Sequence, residues 1–465
     1  MNAKGDARRA LRDNAPQTLK FLQFGDGAAL RPLIDDWIDR ANAYEMADMG
    51  GIAIVDVKNE DQEKLLLNQG WYILSTTGLG GSGKGKQEKI VQCLMDVYPA
   101  DDWQKVLQLA QESQLEFILT DASDTPAVPS KNDNYDNPKS LAGKVAAFLH
   151  ARFESGESGV SILCCEPFLA NGFLLHKTVV ALAFAWELDS DFFKWLEEEN
   201  VFLSTRGFRE SALTYYAANE EEAKKPQHHA VLAEGYGLWL VEGFEFPESL
   251  TPLKRSGADI RVLQNYGEIA SLHESIWQIS TLLVAILCDA LALESPNAVM
   301  GDEDSRAFLA QMMVQEVAPA AISSTKDALE VVASSFERLE NAYFGGVDRL
   351  KIGPVLAVWK NRLLPLIKAC AAKELSCVKL IAASAVLFME LIAANPEEQK
   401  ELHALSCDME PSILAYALLS DHELWGEDLR AIPGFEEKLE RAITDLQIVG
   451  IRAGIRSVVA QEDHL

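Results

Sequence analysis

The chain reads as an α/β protein in its N-terminal part and an all-helical one in its C-terminal part, and three observations carry that reading. The first is the run Thr18 to Arg31 (TLKFLQFGDGAALR), in which an apolar strand meets a Gly-x-Gly turn and then an amphipathic helix. The second is an alternation of strand-like and helix-like segments that continues to about residue 262. The third is a change near Gly267 to long stretches of helical periodicity, broken at Gly345 and Gly346, Pro354, Asn395 and Pro396, and Pro433 and Gly434. Two domains follow, residues 17–262 and 263–465, behind a flexible, charge-rich lead of residues 1–16.

In the first unit, Leu19, Phe21, Leu22 and Phe24 form a buried strand, and Leu33, Ile34, Trp37, Ile38 and Ala41 share one helix face. Between them Gly25, Asp26, Gly27 and Ala28 make the turn, whose glycines let the backbone approach a pyrophosphate favoured by the helix N-terminus. A second strand, Gly51 to Val57 (GIAIVDV), carries Asp56 near its carboxyl end, where a ribose 2′-hydroxyl is held, and this favours NAD over NADP as cofactor. Leu30 replaces the third glycine of G-x-G-x-x-G, so an ordinary strand-to-helix turn with a strand-end acid is the alternative. The ordered set of strand, turn, helix, strand and acid points to a Rossmann-like dinucleotide-binding domain.

WYILSTTG and KIVQCLM are strand-like and flank Gly78 to Lys86 (GLGGSGKGK). That tract copies most of a phosphate-binding loop, but Gly85 stands where a Ser or Thr must coordinate magnesium and no helix follows, so it is read as a hairpin turn. A helix over 101–114, a strand at Leu115 to Thr120, a proline-bearing loop from Asp121 to Pro138, a helix from Lys139 to Glu154 and a strand at Gly159 to Cys165 predict a parallel sheet with crossover helices. Helices follow at Gly172 to Trp186 and Asp191 to Glu199, and Tyr236 to Val241 (YGLWLV) reads as the last strand.

Seventy acids against 42 bases give a net charge of −28, which argues against a nucleic-acid or anionic-membrane partner. Seven cysteines without a C-x-x-C pair fit a reduced, cytoplasmic setting, and Ile276 to Leu293, the most membrane-like stretch, is interrupted by Gln278, Ser280 and Asp289. No residue is assigned to a metal. His228 and His229 read as a solvated loop, His176 as structural, and the adjacent Cys164 and Cys165 as opposite faces of one strand.

LQFGDGAALR with its helix LIDDWIDRAN resembles the N-terminal motif of the long-chain polyol and uronate dehydrogenases of the mannitol dehydrogenase family, the tagaturonate reductase (altronate oxidoreductase) branch above all. Cys165 to Gly172 (CEPFLANG), Asn361 to Pro365 (NRLLP) and Leu424 to Gly434 (LWGEDLRAIPG) agree with that family in order and spacing. The resemblance implies hydride transfer between NAD and a small-molecule sugar acid or polyol, in an active site between a Rossmann-like and a helical domain. It places Asp121 near the nicotinamide and Asn171 and Arg209 toward substrate. The family's catalytic Lys, Asn and His fall on His273, Gln278 and Thr281, so the resemblance implies activity altered or lost, or a non-catalytic paralogue with a binding or regulatory role. Trp425 is read as packing the last helices together.

Overall fold

The computed structural model describes residues 16–25, 30–45, 49–57, 71–77, 87–122, 133–209, 211–215, 229–322, 325–341, 352–393 and 405–460. It divides into two compact units, residues 1–267 and 268–465. The expected lead, the turn residues Asp26, Gly27 and Ala28, and the tract 78–86 lie outside the described residues.

In the first unit the strands are β1 (Leu19–Gly25), β2 (Gly51–Asp56), β3 (Tyr72–Thr77), β4 (Gln87–Val91), β5 (Leu94–Pro99), β6 (Phe117–Asp121), β7 (Ser161–Cys164), β8 (Val201–Phe208), β9 (Ser211–Tyr215), β10 (His229–Glu234), β11 (Leu238–Glu242) and β12 (Ile260–Leu263). The helices are α1 (Asp36–Glu45, entered through a π-helical turn, Leu30–Asp35), α2 (Trp103–Gln108), α3 (Leu141–Glu154), α4 (Asn171–Ala185), α5 (Ser190–Glu199) and α6 (Thr251–Arg255). Among the described residues the large sheet runs β12-β11-β8-β7-β6-β1-β2-β5, and its core, β5-β2-β1-β6-β7-β8, is parallel throughout. That is the doubly wound order of dinucleotide-binding sheets.

Each face of this sheet has its own core. Phe21, Leu163 and Cys165 pack with Leu33, Trp37 and Ile38 of the first helix and with Tyr72, Leu74 and Val231 of a second sheet, β4-β3-β10-β9. Leu22, Phe24, Ile162 and Cys164 pack on the other side against α2 to α5. The strand period of two thus sends Cys164 and Cys165 to opposite cores, as their adjacency predicts.

Three sequence readings are corrected. KIVQCLM is not one strand: β4 pairs antiparallel with β3 in the small sheet, the chain crosses at Gln92 and Cys93, and β5 joins β2 in the large one. YGLWLV is not the last strand, since β12 pairs with β11 beyond it. The sheet is not wholly parallel, because β11 runs antiparallel to β8.

The second unit is helical over its described residues and begins in α7 (Tyr266–Ala290), whose first two residues fall in the first unit. It continues through α8 (Pro296–Gly301), α9 (Glu303–Met312), α10 (Ala318–Ala321), α11 (Thr325–Asn341), α12 (Ile352–Val358), α13 (Leu364–Ala372), α14 (Val378–Ala393), α15 (Pro411–Ser420), α16 (His422–Trp425), α17 (Phe435–Val449) and α18 (Ile451–Ala460). Residues 379–388 of α14 are all buried, which makes it the central helix, with α17 and α18 packed on it. Glu316 caps α14 from across the chain, its two oxygens accepting from the backbone N–H of Lys379 at 2.9 Å and Leu380 at 2.7 Å. Trp425 is buried as expected, its ring 4.5 Å from that of Trp359 and 5.9 Å from that of Phe388.

Candidate functional site

The strand order of the large sheet reverses between β1 and β6, and in such sheets ligands lie outside the strand carboxyl ends at that point. Gly25 closes β1 with φ +92°, and a Cβ built on it would stand 2.6 Å from the carbonyl oxygen of Asp121 at the end of β6. Side chains are unfavourable there by conformation and by space, so the end of β1 presents bare backbone. The Gln23 amide donates to Gly25 O at 3.1 Å and holds that end in place. Asp56 is buried at the end of the neighbouring strand β2, and Asp121 is buried at the end of β6. Three of the expected cofactor residues therefore sit on three adjacent strand ends.

The sequence reading assigned no role to Glu166, the acid of the CEPFLANG turn after β7. It is buried, and its Oε2 accepts from Thr120 Oγ1 at 3.0 Å. Burial pushes its carboxyl up, against hydrogen bonds from its own backbone, Thr120 and the Ala122 backbone. An acid directly after an apolar strand was the available signal.

Asn171 and Arg209 are engaged in the framework. The Asn171 amide donates to Glu166 O at 3.0 Å and Thr205 O at 2.9 Å and accepts from Gly172 N at 2.9 Å and Thr205 N at 3.1 Å. Its two donors and two acceptor positions are filled, which leaves nothing for a substrate. Arg209 is buried against the first helix, donating to Asp36 Oδ2 at 2.9 Å, to Glu234 O at 2.9 Å and to Pro32 O. Asp36 also pairs with Lys89 at 2.6 Å and with Arg40. Burial pushes its carboxyl up, but Lys89, Arg40 and Arg209 outweigh that and hold it below the usual range. Next to it Asp35 is fully buried, neither carboxylate oxygen meets a hydrogen-bond partner among the described residues, and burial pushes its pKa from 3.8 to about 7.

On α7, His273 is fully buried. The Gln278 amide is clamped: its Nε2 donates to Glu274 Oε1 at 2.9 Å and its Oε1 accepts from Arg362 Nε at 2.7 Å. Thr281 Oγ1 donates back into its own helix, to Trp277 O at 2.8 Å and Gln278 O at 3.2 Å. Glu274, Gln278 and Thr281 are spaced i, i+4, i+7 and share a face; His273 lies on another. Arg362 belongs to a π-helical turn, Trp359–Leu363, placed just ahead of Pro365.

The sequence profile of the mannitol dehydrogenase Rossmann domain matches residues 19–255, more than half of the chain. The chain belongs to the mannitol dehydrogenase family. Likeness extends over most of the chain to proteins named altronate oxidoreductase. That of Bacillus subtilis (strain 168) is 22% identical over 466 residues, covering 95% of each chain. That of Enterobacter sp. (strain 638) is 24% identical over 473 residues, covering 94% of this chain and 96% of its own. Among solved structures, substrate-free D-sorbitol dehydrogenase matches with TM-score 0.68 and 16% identity over 95% of this chain and 97% of that one. Pseudomonas fluorescens mannitol 2-dehydrogenase, in a ternary complex with NAD and D-mannitol, matches with TM-score 0.60 and 15% identity over 96% of this chain and 97% of its own. At that identity the likeness to these structures is one of fold. The family's fold, a Rossmann-type domain followed by helices, is the one described above.

Proposed function

We propose that this member of the mannitol dehydrogenase family binds NAD through its N-terminal domain and has replaced the proton-transfer residues of its relatives, so that hydride transfer with a sugar acid or polyol is altered or lost. The observation that carries the reading is the state of α7. Where the resemblance expects Lys, Asn and His, Gln278 is clamped between Glu274 and Arg362, Thr281 is bonded to its own helix and His273 is buried. Support for the substrate class comes from the relatives named altronate oxidoreductase and from the mannitol 2-dehydrogenase neighbour.

The residues at the strand ends fit the cofactor. The bare backbone at Gly25 leaves room for a pyrophosphate, and Asp56 stands where a carboxylate accepts from a ribose hydroxyl. Asp26, Gly27, Ala28 and Asp121 complete the set. When bound, the nicotinamide gives or takes a hydride at a carbon; the chain's own residues must then give or take the proton at the adjoining oxygen and steady its charge. Acid–base help is commonly worth ~10²–10⁴ in rate and an oxyanion donor ~10²–10³, so a chain lacking both turns over far more slowly than its relatives.

Calorimetry should show NAD binding more tightly than NADP, with Asp56→Ala erasing the preference; tighter NADP binding overturns the cofactor assignment. Purified protein should reduce tagaturonate and fructuronate, and oxidise mannitol, at rates far below those of the relatives. If His273 moves the proton, the residual rate titrates in the imidazole range and His273→Ala abolishes it. Robust turnover that survives His273→Ala refutes the reading of α7.

A further inference from the structure

On the opposite side of the first unit from the strand carboxyl ends, one imidazole and two carboxylates converge. His150 and Glu154 occupy the last two turns of α3 one helical turn apart, and Asp189 is the N-cap of α5. One ligand atom from each lies within 4.8 Å of the others. We propose that these three residues form a binding site for a zinc-class divalent cation, a staple between α3 and α5 separate from the cofactor end.

The arrangement has the features that such a site needs. The i, i+4 spacing puts His150 and Glu154 on one helix face, Nε2 of the first 3.8 Å from Oε1 of the second. His150 Nδ1 is 3.0 Å from the Tyr135 hydroxyl; with that nitrogen donating to the phenol, Nε2 keeps its lone pair toward the carboxylates, the orienting contact that metal-bound imidazoles use. The ring is held between aromatic neighbours, with Tyr135 and Phe192 each 5.1 Å away, edge-on. Burial pushes the His150 pKa below the usual imidazole value, against the opposing fields of Glu154 and Asp189. Asp189 Oδ1 accepts from Asp191 N at 3.0 Å and Phe192 N at 2.9 Å, which leaves Oδ2 for a cation. Exposure is graded to match: the His150 side chain is 13% exposed and that of Glu154 59%, so the nitrogen is fixed and the carboxylate is able to close on an ion. One nitrogen and two oxygens suit zinc or its first-row neighbours better than magnesium.

The test is Zn²⁺ titration of the full chain by calorimetry, in a Cys407→Ser background because Cys407 is the one cysteine that is not buried. One ion per chain is expected, with a rise in melting temperature. His150→Gln should abolish binding. Asp189→Asn, which keeps the N-cap acceptor, and Tyr135→Phe should each weaken it at least about tenfold without changing the metal-free melting temperature. Affinity should fall as pH drops through the imidazole range. Absence of binding at about 100 μM Zn²⁺, or binding unchanged in His150→Gln and Asp189→Asn, overturns the proposal. NAD affinity should be the same in Asp189→Asn, so this test and that of the cofactor site fail independently.

Discussion

Asp35 shows what a single buried side chain can impose. Its neighbours are Arg31 on its own helical turn, Asp36 and Asp39 just beyond, Tyr72 from β3, and Cys93, whose Sγ is 3.3 Å from Asp35 O. Its carboxyl is raised from 3.8 to about 7, so between those limits the folded chain binds a proton that the unfolded chain releases. Stability is therefore full below the lower value and is lost as pH rises through the upper one. Asp35→Asn should match the parent at about pH 4 and be the more stable by up to about 4 kcal/mol at about pH 8, read by urea unfolding. An equal difference at both pH values would show that the group does not titrate there. Arg152 makes a simpler case: it is fully buried and donates to the carbonyls of Ser158 at 2.7 Å, Glu112 at 2.9 Å, Leu115 at 3.1 Å and Ala110 at 3.2 Å. Arg152→Met should cost about 3 kcal/mol or more, since it strands the buried carbonyls of Ala110 and Leu115 and removes two further charge-assisted bonds, to Glu112 and Ser158.

Elements were legible where local pattern and final environment agree. β1, β2, β6 and β7 are largely apolar because both their faces are covered, the helical period of α7 is visible because it has a buried stripe, and α14 is apolar all round because residues 379–388 are all buried. β8, β9 and β10 were not read as strands. Val201 to Phe208 (VFLSTRGF) carries Ser204, Thr205 and Arg206 because its polar groups serve the framework, Thr205 Oγ1 donating to Cys164 O at 2.7 Å. Partners distant in sequence set their pairing: β10 lies parallel to β3, from more than a hundred residues earlier. At the candidate site the glycine and the strand-end acids were readable as positions, whereas the filled valences of Asn171 and the Asp36 pairing of Arg209 depend on neighbours that no local pattern names. Two of the π-helical turns among the described residues have a cause that sequence does display: Met313–Val317 and Trp359–Leu363 each stop two residues short of a proline, Pro319 and Pro365, which lacks the N–H that a regular turn would use. Within β1, Gly25→Ala should cost at least about 2 kcal/mol through its φ and the clash with Asp121 O, and should weaken NAD binding in the same preparation. Unchanged NAD affinity in that variant would separate the β1 terminus from the cofactor.

For the molecule as a whole, a net charge of −28 acts against compaction. Screening shortens the reach of that repulsion to about 3 Å at 1 M salt, so the melting temperature should climb with added NaCl; a flat or falling response would mean that local ion pairs such as Arg456 with Asp304 dominate instead. α7 bears on how the chain is made. Tyr266–Ala290 is long and apolar enough by composition to cross a membrane, yet 67% of its apolar window is buried inside the protein. Partners from farther along the chain, Arg338 over the Trp277 ring and Arg362 against Gln278, emerge later during synthesis. A ribosome that has just released α7 thus displays the α/β unit followed by an apolar helix whose later partners are not yet made, a stage at which exposed apolar surface favours aggregation.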